Sequence, residues 1–211
     1  MSTLIQQLID QGYLKTKRII QAFKKIKRRD FVLKELQGEA EENYALSIGH
    51  GQTISQPLTV AFMFELLDPQ PGQKILDIGS GSGWATALLA EIVGVKGQVF
   101  ALERIPELKD FGEKNTSKYN FVSSGRAMFM ISDGSKGLPE KVPFDRIHVA
   151  AAVNKVPEEL LKQLTIGGKL VIPEGVDLQA IVLIERVAEN EYKRKSFSGF
   201  IFVPMISDIK K

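Results

Sequence analysis

Apolar residues recur at helical spacing in the first third of the chain. Residues 4–9 and 19–26 each carry apolar side chains three or four positions apart, which predicts two helices separated near Gly12. Pro57 suits the first turn of a third helix, with apolar residues at 60, 61, 64 and 67 along one side. Residues 37–56 are polar and aperiodic, so we expect irregular chain there.

Short apolar runs alternate with helical patterns from Gly72 onwards. The runs predict buried strands at residues 74–79, 98–103, 127–132, 144–151 and 169–173, and the helical patterns predict helices at 84–93, 106–118 and 157–164. Two long alternating segments, 179–187 and 192–203, predict a closing antiparallel hairpin. Strands that alternate with helices indicate an α/β fold with a doubly wound parallel sheet, finished here by antiparallel strands.

The amino-acid composition excludes several kinds of functional site. The 211 residues contain no cysteine and only two histidines, which excludes disulfides, thiolate zinc sites, iron–sulfur clusters and cysteine nucleophiles and argues against a histidine metal centre. The net charge of +3 is too small to indicate a nucleic-acid binder by itself. The N-terminus lacks the pattern of a signal peptide, and no run approaches the ~18 apolar residues of a membrane span, so we expect a cytoplasmic protein without a membrane partner.

A glycine-rich loop follows the first predicted strand of the sheet. It reads Asp-Ile-Gly-Ser-Gly-Ser-Gly from Asp77 to Gly83 and precedes a predicted helix. Glycines let the backbone turn sharply and let a ligand approach closely, and the helix start offers free N–H groups. The loop lacks the lysine of a phosphate loop and the spacing of a dinucleotide fingerprint. Asp77 would repel a pyrophosphate but could accept a hydrogen bond from an ammonium group.

Acidic residues end the next two predicted strands as well. Glu103 lies where a carboxylate holds an adenosine ribose in doubly wound folds, and Asp133 with Gly134 follows the third strand at the same edge. Three acids at consecutive strand ends suit a cationic, adenosine-bearing cofactor without phosphates. S-adenosylmethionine fits this description.

Several segments resemble the protein-L-isoaspartate (D-aspartate) O-methyltransferase family. The most specific is Ile-Gly-His-Gly-Gln-Thr-Ile-Ser-Gln-Pro at residues 48–57, and further likeness lies at residues 142–151, 156–164 and 167–173. The resemblance spans nearly the whole chain, from residues 29–32 to 202–205. It implies a Rossmann-like S-adenosylmethionine-dependent methyltransferase fold with an N-terminal helical flap, residues 1–56, on a core of residues 57–211 that ends in an antiparallel hairpin. The whole chain would be a single methyltransferase domain.

The resemblance implies a protein-repair enzyme. Members methylate the α-carboxylate of L-isoaspartyl and D-aspartyl residues in damaged proteins with S-adenosylmethionine, which becomes S-adenosylhomocysteine, and no metal is needed. Carried over by motif, Ser55 is the active-site serine. The implied cofactor-binding residues are Gln52, Thr53, Ile54, Asp77, Gly79, Ser80, Gly81, Glu103, Asp133 and Gly134.

The reaction needs little acid–base help. An α-carboxylate has a reference pKa near ~3.5, so it is already ionised at neutral pH and requires no general base. Catalysis should come from alignment with the sulfonium methyl and from exclusion of water. The Ser55 hydroxyl can donate one hydrogen bond that orients the carboxylate, and we do not expect an acylated serine.

Four other residues near these motifs could have either a functional or a structural role. His50 contacts the peptide substrate or is a turn residue, and we favour the turn. His148 lies inside an apolar strand, which favours a core residue with satisfied hydrogen bonds. Trp84 packs near the cofactor or between helix and sheet, and we favour the packing role. Tyr44 closes the flap or packs in the core, but the aspartate that usually follows it in the family is missing.

Eight basic residues fall between Lys15 and Arg29 without an acidic one. Such a cluster could grip phosphates, which supports a rival hypothesis of an RNA methyltransferase. We favour the solvated face of an amphipathic helix, because no aromatic residues are interleaved for base stacking. A third hypothesis is a cofactor-binding protein without catalysis, against which the intact Ser55 argues. We expect a monomer that acts on isoaspartyl proteins and peptides and has no nucleic-acid partner.

Overall fold

The computed structural model describes residues 3–205 as six helices and nine strands, besides short 3₁₀ turns. The helices are α1 (Thr3–Asp10), α2 (Lys17–Lys25), α3 (Pro57–Leu67), α4 (Trp84–Val93), α5 (Pro106–Ser117) and α6 (Glu158–Lys162). The strands are β1 (Leu46–Gly49), β2 (Gln52–Ile54), β3 (Lys74–Ile78), β4 (Gln98–Glu103), β5 (Ala127–Ile131), β6 (Phe144–Val149), β7 (Leu164–Glu174), β8 (Ala180–Ala188) and β9 (Glu191–Ser198).

Seven strands form one sheet in the order β5-β4-β3-β6-β7-β8-β9. The first five of these are mutually parallel, and β7, β8 and β9 are joined by antiparallel pairings. The chain fills the sheet outward from β3 to β5 and then returns to place β6 on the other side of β3. This reversal opens a crevice at the carboxyl ends of the strands, where doubly wound folds bind ligands.

Successive side chains of the strands point to opposite faces of the sheet, where they belong to two hydrophobic cores. Ile75 and Val99 point into the larger one, which also contains the apolar faces of α1 to α4, whereas Leu76 and Phe100 point into a smaller core that includes Leu160 of α6. Every one of these side chains is almost fully buried. The sheet is therefore covered on both faces, which explains its continuous apolar strands.

The N-terminal helices share the larger core with the sheet. Ile19 and Phe23 of α2 are buried there, and Phe23 packs edge-on against Trp84 with 5.5 Å between ring centroids. Glu65 of α3 accepts hydrogen bonds from the backbone N–H groups of Lys15 and Thr16, at 2.8 and 2.9 Å, and so joins the segment before α2 to α3. Residues 3–25 are thus tied to the helices that flank the site.

The structure confirms the predicted α/β fold and differs from the sequence pattern in three places. Residues 37–56 contain the two-stranded β1–β2 hairpin rather than irregular chain alone. Strand β7 begins at Leu164, ahead of the predicted strand 169–173, and α6 therefore ends earlier than predicted. Strand β9 ends at Ser198, since Gly199 takes a φ of +97° that breaks the extended conformation.

Candidate active site

A cavity of about 1010 Å³, counted with its open mouth, lies at the carboxyl ends of the parallel strands. The glycine loop after β3 forms its floor, Glu103 at the end of β4 and Gly134 after β5 form one side, and Ala150 after β6 forms the other. The three strand ends that were singled out from the sequence therefore meet at one edge.

Glu103 organises the glycine loop. Its Oε2 accepts a hydrogen bond from the Gly81 N–H at 2.9 Å, and its Oε1 accepts from the N–H groups of Arg104 and Ile105 at 2.8 and 3.1 Å. The residue is 7% exposed. A carboxylate has about four acceptor sites, so capacity is left for hydroxyl donors of a ligand.

Asp77 is fully buried and does not line the cavity. Its Oδ2 accepts a hydrogen bond from the Thr86 hydroxyl at 2.5 Å, and its Oδ1 lies 2.8 Å from His148 Nδ1 on the neighbouring strand. Asp77 and His148 are direct partners in the β3–β6 register. With both oxygens engaged inside the protein, Asp77 holds His148 rather than meeting a ligand itself.

Three buried polar atoms of cavity-lining residues have no hydrogen-bond partner among the described residues. They are Ser80 Oγ, Trp84 Nε1 and His148 Nε2. If the Asp77 carboxylate accepts from Nδ1–H, a neutral His148 presents Nε2 as an acceptor, whereas Trp84 offers only a donor. Buried polar atoms without partners are costly, so this wall fits a ligand that carries both donors and acceptors.

The β1–β2 hairpin places the Gln-Thr-Ile-Ser segment over the cavity. Gln52, Thr53 and Ile54 form β2, Ser55 follows directly, and all four residues line the cavity. His50 lies in the hairpin turn with a φ of +54°, is exposed and lines neither this cavity nor the next. The favoured interpretation of His50 as a turn residue is consistent with this position.

A second cavity, of about 1370 Å³ with its mouth, adjoins the first. It is lined by Tyr44, by residues around Gln56 and by the segment 199–203. Thr53, Ser55, Ala150 and Val203 line both cavities. Ser55 therefore lies at the junction, and its hydroxyl makes no hydrogen bond within residues 3–205, whereas its carbonyl accepts one from Arg28.

Most of the sequence-predicted site residues come together. Those that line the first cavity are Gln52, Thr53, Ile54, Ser55, Gly79, Ser80, Gly81, Glu103 and Gly134. Asp77 and Asp133 do not: the first is buried behind His148, and Asp133 Oδ1 accepts from the N–H and hydroxyl of Ser135. The predicted core position of His148 is observed, but its second ring nitrogen has no hydrogen-bond partner among the described residues.

Residues 203–205 line the first cavity although no site role was predicted for them. The Ala152 N–H donates to the Val203 carbonyl at 2.8 Å, and the Met205 N–H donates to the Ala152 carbonyl at 2.7 Å. These contacts join the end of the described chain to the loop after β6. The only sequence signal was the family resemblance of residues 202–205, because the contact is distant along the chain.

The basic residues between 15 and 29 do not form one free surface. Arg18 pairs with Asp68, Lys25 lies 2.8 Å from Glu91, and Arg28 is buried. This dispersal agrees better with the helix-face interpretation than with a phosphate-binding patch.

Comparison with known proteins identifies the family. The family model for protein-L-isoaspartate(D-aspartate) O-methyltransferase matches residues 1–210. The chain belongs to this family. The protein-L-isoaspartate O-methyltransferase of Aeropyrum pernix is 44% identical over 97% of this chain and 78% of its own length. That of Methanopyrus kandleri is 43% identical over 97% of this chain and 90% of its own.

Solved structures agree on the fold. A Plasmodium falciparum structure assigned to this enzyme class, in complex with S-adenosyl-L-homocysteine, has a TM-score of 0.89, 24% identity and 98% coverage of both chains. A second protein-L-isoaspartate O-methyltransferase structure has a TM-score of 0.86 and 27% identity, and covers 95% of this chain and 64% of that one. The predicted family, fold and methyltransferase class are thereby confirmed.

Within residues 3–205, no helix is long and apolar enough to cross a bilayer. The same residues contain no cluster of three or more histidine, cysteine, aspartate or glutamate side chains able to hold a metal ion.

Proposed function

We propose that this protein transfers the methyl group of S-adenosylmethionine to the α-carboxylate of L-isoaspartyl and D-aspartyl residues in damaged proteins, with Ser55 as the catalytic residue. The observation that carries the proposal is the position of Ser55 at the junction of two cavities. One cavity has the residues expected for the cofactor, and the other is large enough for a segment of polypeptide.

The first cavity suits S-adenosylmethionine along its whole length. Glu103 and Gly134, on the side of β4 and β5, would hold the ribose and adenine. The opposite side, at β6, then faces the amino-acid end of the cofactor, where His148 Nε2 can accept from an ammonium group and Trp84 Nε1 can donate to a carboxylate. When bound, the cofactor supplies an electrophilic methyl group on a sulfonium centre.

The remaining assigned cofactor residues form the loop and the hairpin. Gly79, Ser80 and Gly81 would lie against the cofactor, and Gln52, Thr53 and Ile54 would cover it from above. Asp77 acts indirectly, because it orients His148, and Asp133 shapes the turn that carries Gly134. Every cofactor residue assigned from the sequence thus keeps a role, but Asp77 and Asp133 support other residues and would not contact the cofactor.

Ser55 would orient the substrate carboxylate. Its hydroxyl has no partner within residues 3–205, so it is available to donate to one carboxylate oxygen while the other oxygen attacks the methyl carbon. The new carbon–oxygen bond forms as the carbon–sulfur bond breaks, and the electron pair of that bond goes to sulfur. No proton moves, because the carboxylate is already ionised.

The second cavity would hold the isoaspartyl segment. Its wall includes residues 199–203, and Phe200 of that segment stacks on Phe62 of α3 with centroids 5.1 Å apart. The proposal includes a single methyltransferase domain, of flap (residues 1–56) and core (57–211), that acts as a monomer.

Radiolabelled methyl transfer tests the function. The acceptors are a synthetic isoaspartyl peptide, its normal aspartyl twin and an RNA of mixed sequence, each with the same labelled donor. We expect label in the isoaspartyl peptide alone, as a base-labile ester. Equal labelling of the two peptides would exclude the repair function, and transfer to the RNA would support the rival RNA methyltransferase.

A further inference from the structure

Arg28 differs from its basic neighbours by being inside the protein. It is 3% exposed, whereas the adjacent Arg29 is exposed to solvent. Burial lowers the pKa of Arg28 to about 10, so the guanidinium is still charged at neutral pH. A buried charge is costly unless it is hydrogen-bonded, and its partners therefore show what it does.

Within residues 3–205, the Arg28 guanidinium makes four hydrogen bonds through Nη1 and Nη2, all to backbone carbonyls of the flap, and its Nε has no partner there. Nη1 donates to Ala40 and Glu42 at 3.2 Å each. Nη2 donates to Tyr44 at 2.8 Å and to Ser55 at 3.2 Å. One rigid group thus joins the segment before β1 to the residue directly after β2.

The same guanidinium also contacts a residue that lines the first cavity. Its central carbon lies 5.5 Å from the centre of the Trp84 ring, within the range of a cation–π contact. Trp84 begins α4 directly after the glycine loop and lines the cavity. Arg28 therefore contacts both the backbone that carries the Ser55 hydroxyl and a residue of the cofactor wall.

We infer that Arg28 is a positioning residue for methyl transfer: it fixes the backbone of Ser55 relative to the cofactor cavity, and so sets where the Ser55 hydroxyl points. This role rests on the proposed function. Lysine cannot replace arginine here, because a single ammonium group lacks the planar fork that reaches several carbonyls at once. A misplacement of about 1 Å can cost about 10²-fold in rate.

A purely structural role would give a different result in a double-mutant cycle. If Arg28 acts through Ser55, removing the hydroxyl also removes most of what Arg28 contributes to the rate. If Arg28 merely stabilises the flap, its replacement lowers the rate by the same factor whether or not the hydroxyl is present. The cycle thus separates positioning from stability.

The experiment compares wild type, Arg28→Lys, Ser55→Ala and the double variant, with Arg29→Lys as the matched control. Methylation of an isoaspartyl peptide gives kcat and KM, calorimetric titration gives the Kd of S-adenosylhomocysteine, and thermal unfolding identifies a temperature at which every variant is folded. We expect Arg28→Lys to lower kcat at least about tenfold with the Kd changed less than about twofold, and to lower the residual kcat of Ser55→Ala less than about twofold. Arg29→Lys should match wild type.

Two results would overturn the inference while the function stands: an unchanged kcat in Arg28→Lys, or equal factors in both backgrounds. If Arg28→Lys does not fold, Arg28→Met replaces it in the cycle, because methionine retains an apolar stem without burying an unpaired charge. A wild type that does not methylate the isoaspartyl peptide would refute the proposed function, and the role of Arg28 with it.

Discussion

Replacing Glu103 with glutamine tests how strongly one carboxylate holds the glycine loop. The two oxygens of Glu103 accept three backbone N–H groups, of Gly81, Arg104 and Ile105. Glutamine has one acceptor oxygen and one NH₂ group in nearly the same shape. Whichever way the amide is turned, its NH₂ faces at least one of the N–H groups.

The less costly orientation retains the bonds to Arg104 and Ile105 and turns the NH₂ towards the Gly81 N–H. The loss of one hydrogen bond to a charged acceptor costs about 1.5–3 kcal/mol, and the two retained bonds weaken because they are no longer charge-assisted. Removing the charge recovers part of its desolvation cost, since Glu103 is 7% exposed. We therefore expect a net loss of about 2 kcal/mol in the free energy of unfolding.

The same substitution should weaken cofactor binding. If a ribose hydroxyl donates to the remaining acceptor site of Glu103, the loss of charge removes a further ~1.5–3 kcal/mol from binding, which is about 10- to 100-fold in Kd. The assays are thermal unfolding, with an expected decrease of about 4–8 °C in Tm, and calorimetric titration with S-adenosylhomocysteine. Glu140→Gln, at an exposed carboxylate outside both cavities, is the matched control.

A Glu103→Gln variant with the Tm of wild type and a Kd within twofold would refute this reasoning. A lowered Tm with an unchanged Kd would support the structural role of Glu103 but exclude its contact with the ribose.

Three further substitutions test other parts of the structure. Ser55→Ala should lower kcat for an isoaspartyl peptide at least about tenfold and leave the Kd of S-adenosylhomocysteine nearly unchanged, and an unaltered kcat would remove Ser55 from catalysis. Gly83→Ala should lower the free energy of unfolding by about 2–4 kcal/mol in chemical denaturation, because φ is +83° and an added Cβ would lie 2.5 Å from the Gly112 carbonyl oxygen; wild-type stability would contradict this geometry. Burial alone would raise the pKa of Glu174, but the hydrogen bond from Arg194 helps to bring it below the usual 4.5, so Glu174 stabilises the fold above that pH and ceases to do so as the pH falls through its folded pKa. Glu174→Gln should therefore reduce the acid loss of stability in urea titrations between about pH 3 and pH 6, and an identical pH profile would exclude this contribution.

The sequence predicted the sheet well because its strands are continuous apolar runs bounded by glycines. Residues 74–78 and 98–103 are nearly all buried in the structure, so their pattern is unambiguous. The β1–β2 hairpin was missed because its strands have four and three residues, too few for a periodicity to show. Thr53, a polar residue of β2, is exposed at the cavity. The hairpin therefore lacks the long alternation of polar and apolar residues that marks a strand with one face in bulk solvent.

The site was predicted through local motifs, and its long-range contacts were not. Arg28 lies in a run of basic residues, and nothing in the run distinguishes the buried member from the exposed ones. The pairing of Asp77 with His148 depends on β6 lying beside β3, although the two residues are 71 positions apart. Such contacts depend on which strands are neighbours in the sheet, and the pattern of predicted strands does not determine that order.

The junction at Ser55 also bears on which proteins can be repaired. Among the described residues, Thr53, Ser55, Ala150 and Val203 line both cavities, so the two cavities share one wall at which methyl transfer would take place. A polypeptide in the second cavity would have to bring its isoaspartyl carboxylate to this wall. Damage inside rigid helices would therefore be reached only after local unfolding.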